Sequence, residues 1–278
     1  MDENRYIPPD LAGAEKSFCQ TAIYTEALWK NEFNKDESKV RSYTLPVIQS
    51  ETVEQWEKEE RPRLVEQFKE ILYGDMPPAP DKLETEVLSE KDNALDALEQ
   101  DPLVDAVNAA VIGHSRNGKA AVWAGVCDER FKLVISNNSG CGGASLSRRN
   151  FGETLRILFW EKRPWVAGNL VDYIDDPGKL PFDQHMVLGA IAPRYLYVAS
   201  SSEDAVADPK GEFLAAQAAS RVWELYGKTG LGEAEQPPLN VSTGVEVGYH
   251  CKEGKHGIRA FDWEQYYNFA DKVFRRTR

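Results

Sequence analysis

The sequence has little of what several functional classes require. Only four cysteines, Cys19, Cys127, Cys141 and Cys251, occur in 278 residues, and no two of them form a CxxC pair. That scatter argues against a zinc knuckle, and a chain of this length does not need a disulfide scaffold. No apolar run approaches the roughly 20 residues of a membrane span. Positive charge is outnumbered: 33 Lys and Arg face 45 Asp and Glu, for a formal net charge of −12. Nucleic-acid binding needs a basic face to neutralise phosphates, so it is disfavoured, as is adhesion to an anionic membrane. The start, MDENRYIPPDLAG, lacks the basic and apolar segments of a secretory leader, and the chain as written reads as cytoplasmic. Only four histidines are available as general bases.

What is present is an ordinary globular composition, 42% hydrophobic and 28% charged, with no internal repeat. Residues 1–50 read as a polar, loosely structured leading segment, and 51–278 as a single α/β domain. From Glu51 the apolar residues Val53, Trp56, Leu64, Phe68, Ile71 and Leu72 recur at helical spacing. Tyr73-Gly74 and Pro77-Pro78 end that helix. Residues 79–95 read as linker and 94–100 as a short helix. Strands are then expected over 109–112, 132–136, 195–199 and 245–249. Helices are expected over 118–124, 213–225 and 261–274, with a glycine-rich loop over 139–143 and an irregular middle over 148–183. Strands alternating with helices imply a parallel sheet covered on both faces.

The stretch VIGHSRNGKAAVWAG (111–125) runs from strand to helix through a turn with Ser115 at its tip. That is the layout of a nucleophile elbow. Gly113 supplies the small residue two positions before the serine. Two positions after it stands Asn117, which tolerates left-handed backbone, followed by Gly118. The competing reading is that Ser115 caps the helix. As a nucleophile it requires a base. His114 adjoins it and should point elsewhere, and His185 reads as a packed or loop histidine. His250 lies at the end of the last expected strand. His256, in GKHG between that strand and the closing helix, is the first choice. Asp204, just past the 195–199 strand, stands where an acid would orient the imidazole, although alone it would read as a solvated loop acid.

These residues also carry a family resemblance. In order along the chain, GHSRNGKAAVWAG, SNNSGCGGASLSRRNFGET, LPFDQH, APRYLYVAS, ADPKGEF and GYHCKEGKHG resemble the glucuronoyl esterases of carbohydrate esterase family 15, most of all their bacterial branch. The likeness covers nearly all of residues 94–274. It implies an α/β-hydrolase fold, a three-layer sandwich, and hydrolysis of esters between the glucuronic acid of xylan and lignin alcohols. It implies a triad of Ser115, His256 and Asp204, and an oxyanion contact from Arg116. It implies sugar contacts from Lys119 and Glu153, and no metal or organic cofactor. The alternative acid position of the family is occupied here by Asn138, and a sugar-stacking tryptophan is replaced by Val206. Between Asn93 and Ala94 a long segment of the family pattern is missing. The sheet is therefore expected to lack some early central strands, to expose an edge and to be marginally stable. The expected partner is a glucuronoxylan or other uronate ester, bound by a monomer, and the family implies a secreted or periplasmic location. The rival readings are an acetyl-sugar esterase on the same fold and an inactive, truncated carbohydrate-binding relative.

Overall fold

The structure is a computed structural model that describes residues 34–74, 95, 101–162 and 165–275. The expected linker and short helix across 79–100 lie outside the described residues apart from Leu95, as do Pro77-Pro78 and residues 1–33.

Residues 34–50, which include a 3-10 turn at Glu37–Lys39, run along the domain rather than away from it. Gly152 N–H donates to Asn34 O, Arg149 pairs with Glu37, and Ile48 is buried. A helical stretch then starts at a capping box, in which Thr52 and Gln55 satisfy each other's backbone. It proceeds through π-helical turns at Trp56–Glu60 and Lys69–Tyr73 on either side of α1 (Arg61–Phe68). Trp56, Leu64, Phe68 and Leu72 are all buried, as their spacing predicts. Gly74, at φ 76°, ends it.

The elements that follow are β1 (Ala110–His114), α2 (Arg116–Cys127), β2 (Leu133–Asn137), α3 (Leu155–Glu161) and α4 (Gln184–Gly189). They continue with β3 (Tyr195–Ser201), α5 (Pro209–Leu225), β4 (Thr243–Gly244), β5 (Val247–Lys252) and α6 (Ala260–Arg275). The sheet order is β1-β2-β3-β5-β4. The first four strands are parallel and β4 pairs antiparallel with β5, so the expected all-parallel sheet is a mixed one. Among the described residues β1 pairs on one side only, with β2.

Side chains alternate across the sheet. Val134, Leu196 and Val198 join Val122 of α2, Val187 of α4 and Phe213 of α5 in the larger core. Leu133, Ile135, Tyr197 and Ala199 face α6, where Tyr266, Phe269 and Val273 cover them. This is the expected α/β architecture, with helices on both faces. The middle segment read as irregular contains α3, capped by Thr154, and ends at Asp183, which caps α4. Both were too short to show periodicity. Among the described residues no helix is long and apolar enough to cross a membrane. Cys127, Cys141 and Cys251 are free thiols.

Candidate active site

Ser115 follows β1 directly and has φ 58° and ψ −125°. A non-glycine residue in such a conformation costs about 1–3 kcal/mol and persists only where its surroundings enforce it. Here the Ser115 amide donates to Asn137 O at 2.8 Å, and its carbonyl accepts from Gly118 N at 2.9 Å. Gly113 makes the turn possible: a Cβ there would lie 1.8 Å from Asn117 O. The left-handed residue is the serine itself. Asn117 lies within α2, so the tolerance expected of it is not used. The Ser115 side chain makes no capping hydrogen bond, which removes the helix-cap reading and leaves its hydroxyl uncommitted to the helix.

The four histidines separate clearly. His250 is wholly buried, held between Tyr197 OH at 2.9 Å on Nδ1 and Asp262 Oδ1 at 2.9 Å on Nε2. Burial pushes its pKa down against the pull of Asp262. His185 is buried against Pro46 O at 3.0 Å. His114 contacts Asn137 Oδ1 through Nδ1 at 2.6 Å. His256 sits in the loop after β5 with its side chain 44% exposed, and its Nδ1 meets Asp204 Oδ2 at 2.5 Å. Its ring packs on that of His114, with centroids 4.4 Å apart, which puts it beside the residue preceding Ser115. With Nδ1 donating to Asp204, Nε2 carries the lone pair. The bond to Asp204 raises the His256 pKa above its ordinary value, against partial burial. Sequence order and structure therefore bring Ser115, Asp204 and His256 to the carboxyl ends of β1, β3 and β5.

Asp204 is 5% exposed and lies in the turn that closes β3, its amide bonded to Ser201 O. Its Oδ2 also accepts from Asn138 Nδ2 at 3.0 Å. Ser201 Oγ donates to Asn138 Oδ1, which fixes the amide with its NH2 toward the acid. Asn138 thus supports the carboxylate it does not replace. Beneath them lies a residue that sequence reasoning missed. Glu212, fully buried in α5, accepts from Ser139 N at 2.8 Å, Gly140 N at 3.0 Å and Ser200 Oγ at 2.6 Å. It holds the glycine-rich loop against β3, and burial pushes its pKa up to about 7. A charged residue among the apolar positions of a helix that reads as amphipathic was the available signal.

Arg116 opens α2 and is exposed, with its guanidinium carbon 5.1 Å from the centroid of Trp165. Lys119 and Glu153 pair at 3.0 Å, each 13% exposed. The Lys119 ammonium also donates to Ser139 O and Cys141 O, both at 2.5 Å. Its three donors are thus engaged within the protein. Glu153 is placed by its amide bond to Val206 O, beside the acid turn.

Comparison with known proteins bears on the fold and the family. The family model described as fungal glucuronyl esterase matches residues 91–227. Carbohydrate esterase MZ0003, from an unknown prokaryotic organism, is 47% identical over 178 residues, or 64% of this chain. These matches make the chain similar to the glucuronoyl esterases of carbohydrate esterase family 15. The 4-O-methyl-glucuronoyl methylesterase of Podospora anserina is 34% identical over 113 residues, or 38% of this chain. The chain spans 41% of MZ0003 and 24% of the Podospora protein. Among solved structures of family 15, a promiscuous esterase from the marine bacterial metagenome superposes with TM-score 0.79 at 26% identity, covering 87% of this chain and all of that one. A glucuronoyl esterase from Solibacter usitatus gives 0.77 at 29% identity, covering 84% of this chain and 99% of that one.

Proposed function

We propose that the protein is a serine esterase that hydrolyses esters of 4-O-methylglucuronic acid. The observation that carries this reading is the 2.5 Å pairing of His256 with Asp204 beside a serine held at a strained strand-to-helix turn. His256 Nε2 takes the Ser115 proton as the hydroxyl attacks the ester carbonyl, and Asp204 stabilises the imidazolium that forms. The oxyanion develops at the start of α2, where the helix dipole and the Arg116 guanidinium favour negative charge. Arg116 leaves its Trp165 contact, or carries it along, to reach that oxygen. His256 returns its proton to the leaving alcohol, and a water deprotonated by His256 then releases the uronic acid from Ser115. Glu153 accepts from uronate hydroxyls, and Lys119 orients Glu153 and reaches the sugar itself only by exchanging one of its carbonyl partners. No metal or organic cofactor takes part in these steps. Xylan is a polymer that does not enter cells, which places the reaction outside the cytoplasm.

The test is turnover of benzyl glucuronate alongside an acetyl-sugar ester, with fluorophosphonate labelling of Ser115 read by mass spectrometry. Turnover of the uronate ester, lost in Ser115→Ala, is expected. Turnover of the acetyl ester alone would reassign the substrate, and a folded protein with unlabelled Ser115 would refute the reading.

A further inference from the structure

The residues at the C-terminal end of the sheet form one row. The register pairs His114 with Asn137, Asn137 with Ala199 and Ala199 with His250, so all four face α6. Three of the four are polar, and all three lead to one carboxylate that the chemistry described above does not use. Asp262, in the first turn of α6, is completely buried. Its Oδ1 accepts from His250 Nε2 at 2.9 Å, Lys252 Nζ at 3.0 Å and Asn137 Nδ2 at 3.2 Å. Its Oδ2 accepts from the Arg259 amide at 2.7 Å.

Two of these partners bracket the loop that carries His256. Lys252 is the last residue of β5 and Arg259 the last before α6. The side chain of Arg259 also covers Gly254 within the loop, at 3.0 Å from where a Cβ would lie. The third partner reaches the imidazole from behind. Asn137 Nδ2 is committed to Asp262 and to Tyr266 OH at 2.7 Å, so its Oδ1 faces His114. His114 Nδ1 must therefore be the donor in that contact, which fixes the ring on which His256 packs.

We propose that Asp262 is a positioning residue for His256. It ties down both ends of the loop and, through Asn137 and His114, the surface behind the ring. The proposal rests on the reading of His256 as the base. The simpler alternative is that Asp262 only neutralises the buried Lys252 and caps α6. The charged and titratable groups around His256 are Asp204, His114, Glu212 and Lys252.

The experiment follows the His256 imidazole by NMR titration in the full chain, together with kcat and KM for benzyl glucuronate. In Asp262→Asn, the His256 titration should fall toward the ordinary value near 6.5. The kcat should drop by about 10²-fold, the effect of roughly 1 Å of misplacement, with KM little changed. Removing Asp262 alone strands the charge of Lys252, so the single variant is paired with Lys252→Met/Asp262→Asn, which removes both charges, and the fold of each variant is checked by thermal unfolding. Persistence of the lowered titration and kcat in the double variant supports positioning. Return of both to wild-type values would overturn it and leave Asp262 as a counter-ion. A wild type without turnover, whose His256 titration still responds in the double variant, would refute the esterase reading and leave the positioning role standing.

Discussion

Replacing Gly113 by alanine tests whether the turn, rather than the serine alone, makes the site. The new Cβ would lie 1.8 Å from Asn117 O, 2.2 Å from Asn117 C and 2.7 Å from Gly118 N. All three are backbone atoms, so no rotamer change relieves the contact. A real Cβ keeps at least 3.0 Å, so the first turn of α2 must retreat by more than 1 Å. It has little room, because Gly118 packs so closely on Ser139 that its own Cβ would come within 2.9 Å of the serine Cβ. Overpacking of this kind costs about 1–3 kcal/mol, roughly 2–12 °C in Tm for a domain of this size. The shift moves Arg116 and the helix amides relative to Ser115, and about 1 Å of misplacement costs roughly 10²-fold in rate. Thermal unfolding, fluorophosphonate labelling rate and kcat/KM for benzyl glucuronate should all fall together. A Gly113→Ala protein within threefold of wild type in labelling and kcat/KM would show that the elbow is not what activates Ser115.

Four further outcomes are expected. His256 must be neutral to act as base and its pKa is raised by Asp204, so kcat/KM should rise with pH through a midpoint above 6.5. Asp204→Asn should move that midpoint down toward 6.5 and cost about 10⁴-fold in kcat, and an unmoved acid limb would contradict the pairing. His256→Ala should abolish turnover with little change in Tm. His250→Ala should instead lower stability by about 1–3 kcal/mol, the cost of leaving buried Tyr197 and Asp262 groups unmatched, and loss of turnover in His250→Ala alone would reverse the assignment.

Much of this site was legible because chemistry and chain order constrain it together. The serine after an apolar strand, the acid after YLYVA and the histidine in GKHG each follow a strand, and parallel strands deliver their following loops to one end of the sheet. The alternation of strands with helices likewise foretold two covered faces. What could not be read was pairwise. Nothing local to Asn138 says that it donates to Asp204, and nothing near Glu212 says that it receives the amides of Ser139 and Gly140. Those bonds join residues 66 and more than 70 positions apart, and only the strand register brings them into contact. The engagement of Lys119 with loop carbonyls was hidden for the same reason.

The order of assembly of the sheet gives the site a temporal property. Ser115 acquires its turn from β1 and β2, which are neighbours in the chain, but its base arrives on the loop after β5, which docks against β3 from far downstream. Long-range pairing of this kind is slow relative to local helix formation. If Ser115 is the nucleophile proposed above, fluorophosphonate labelling during refolding is expected to appear only after β5 has docked, and labelling that recovers before β5 docks would contradict that order.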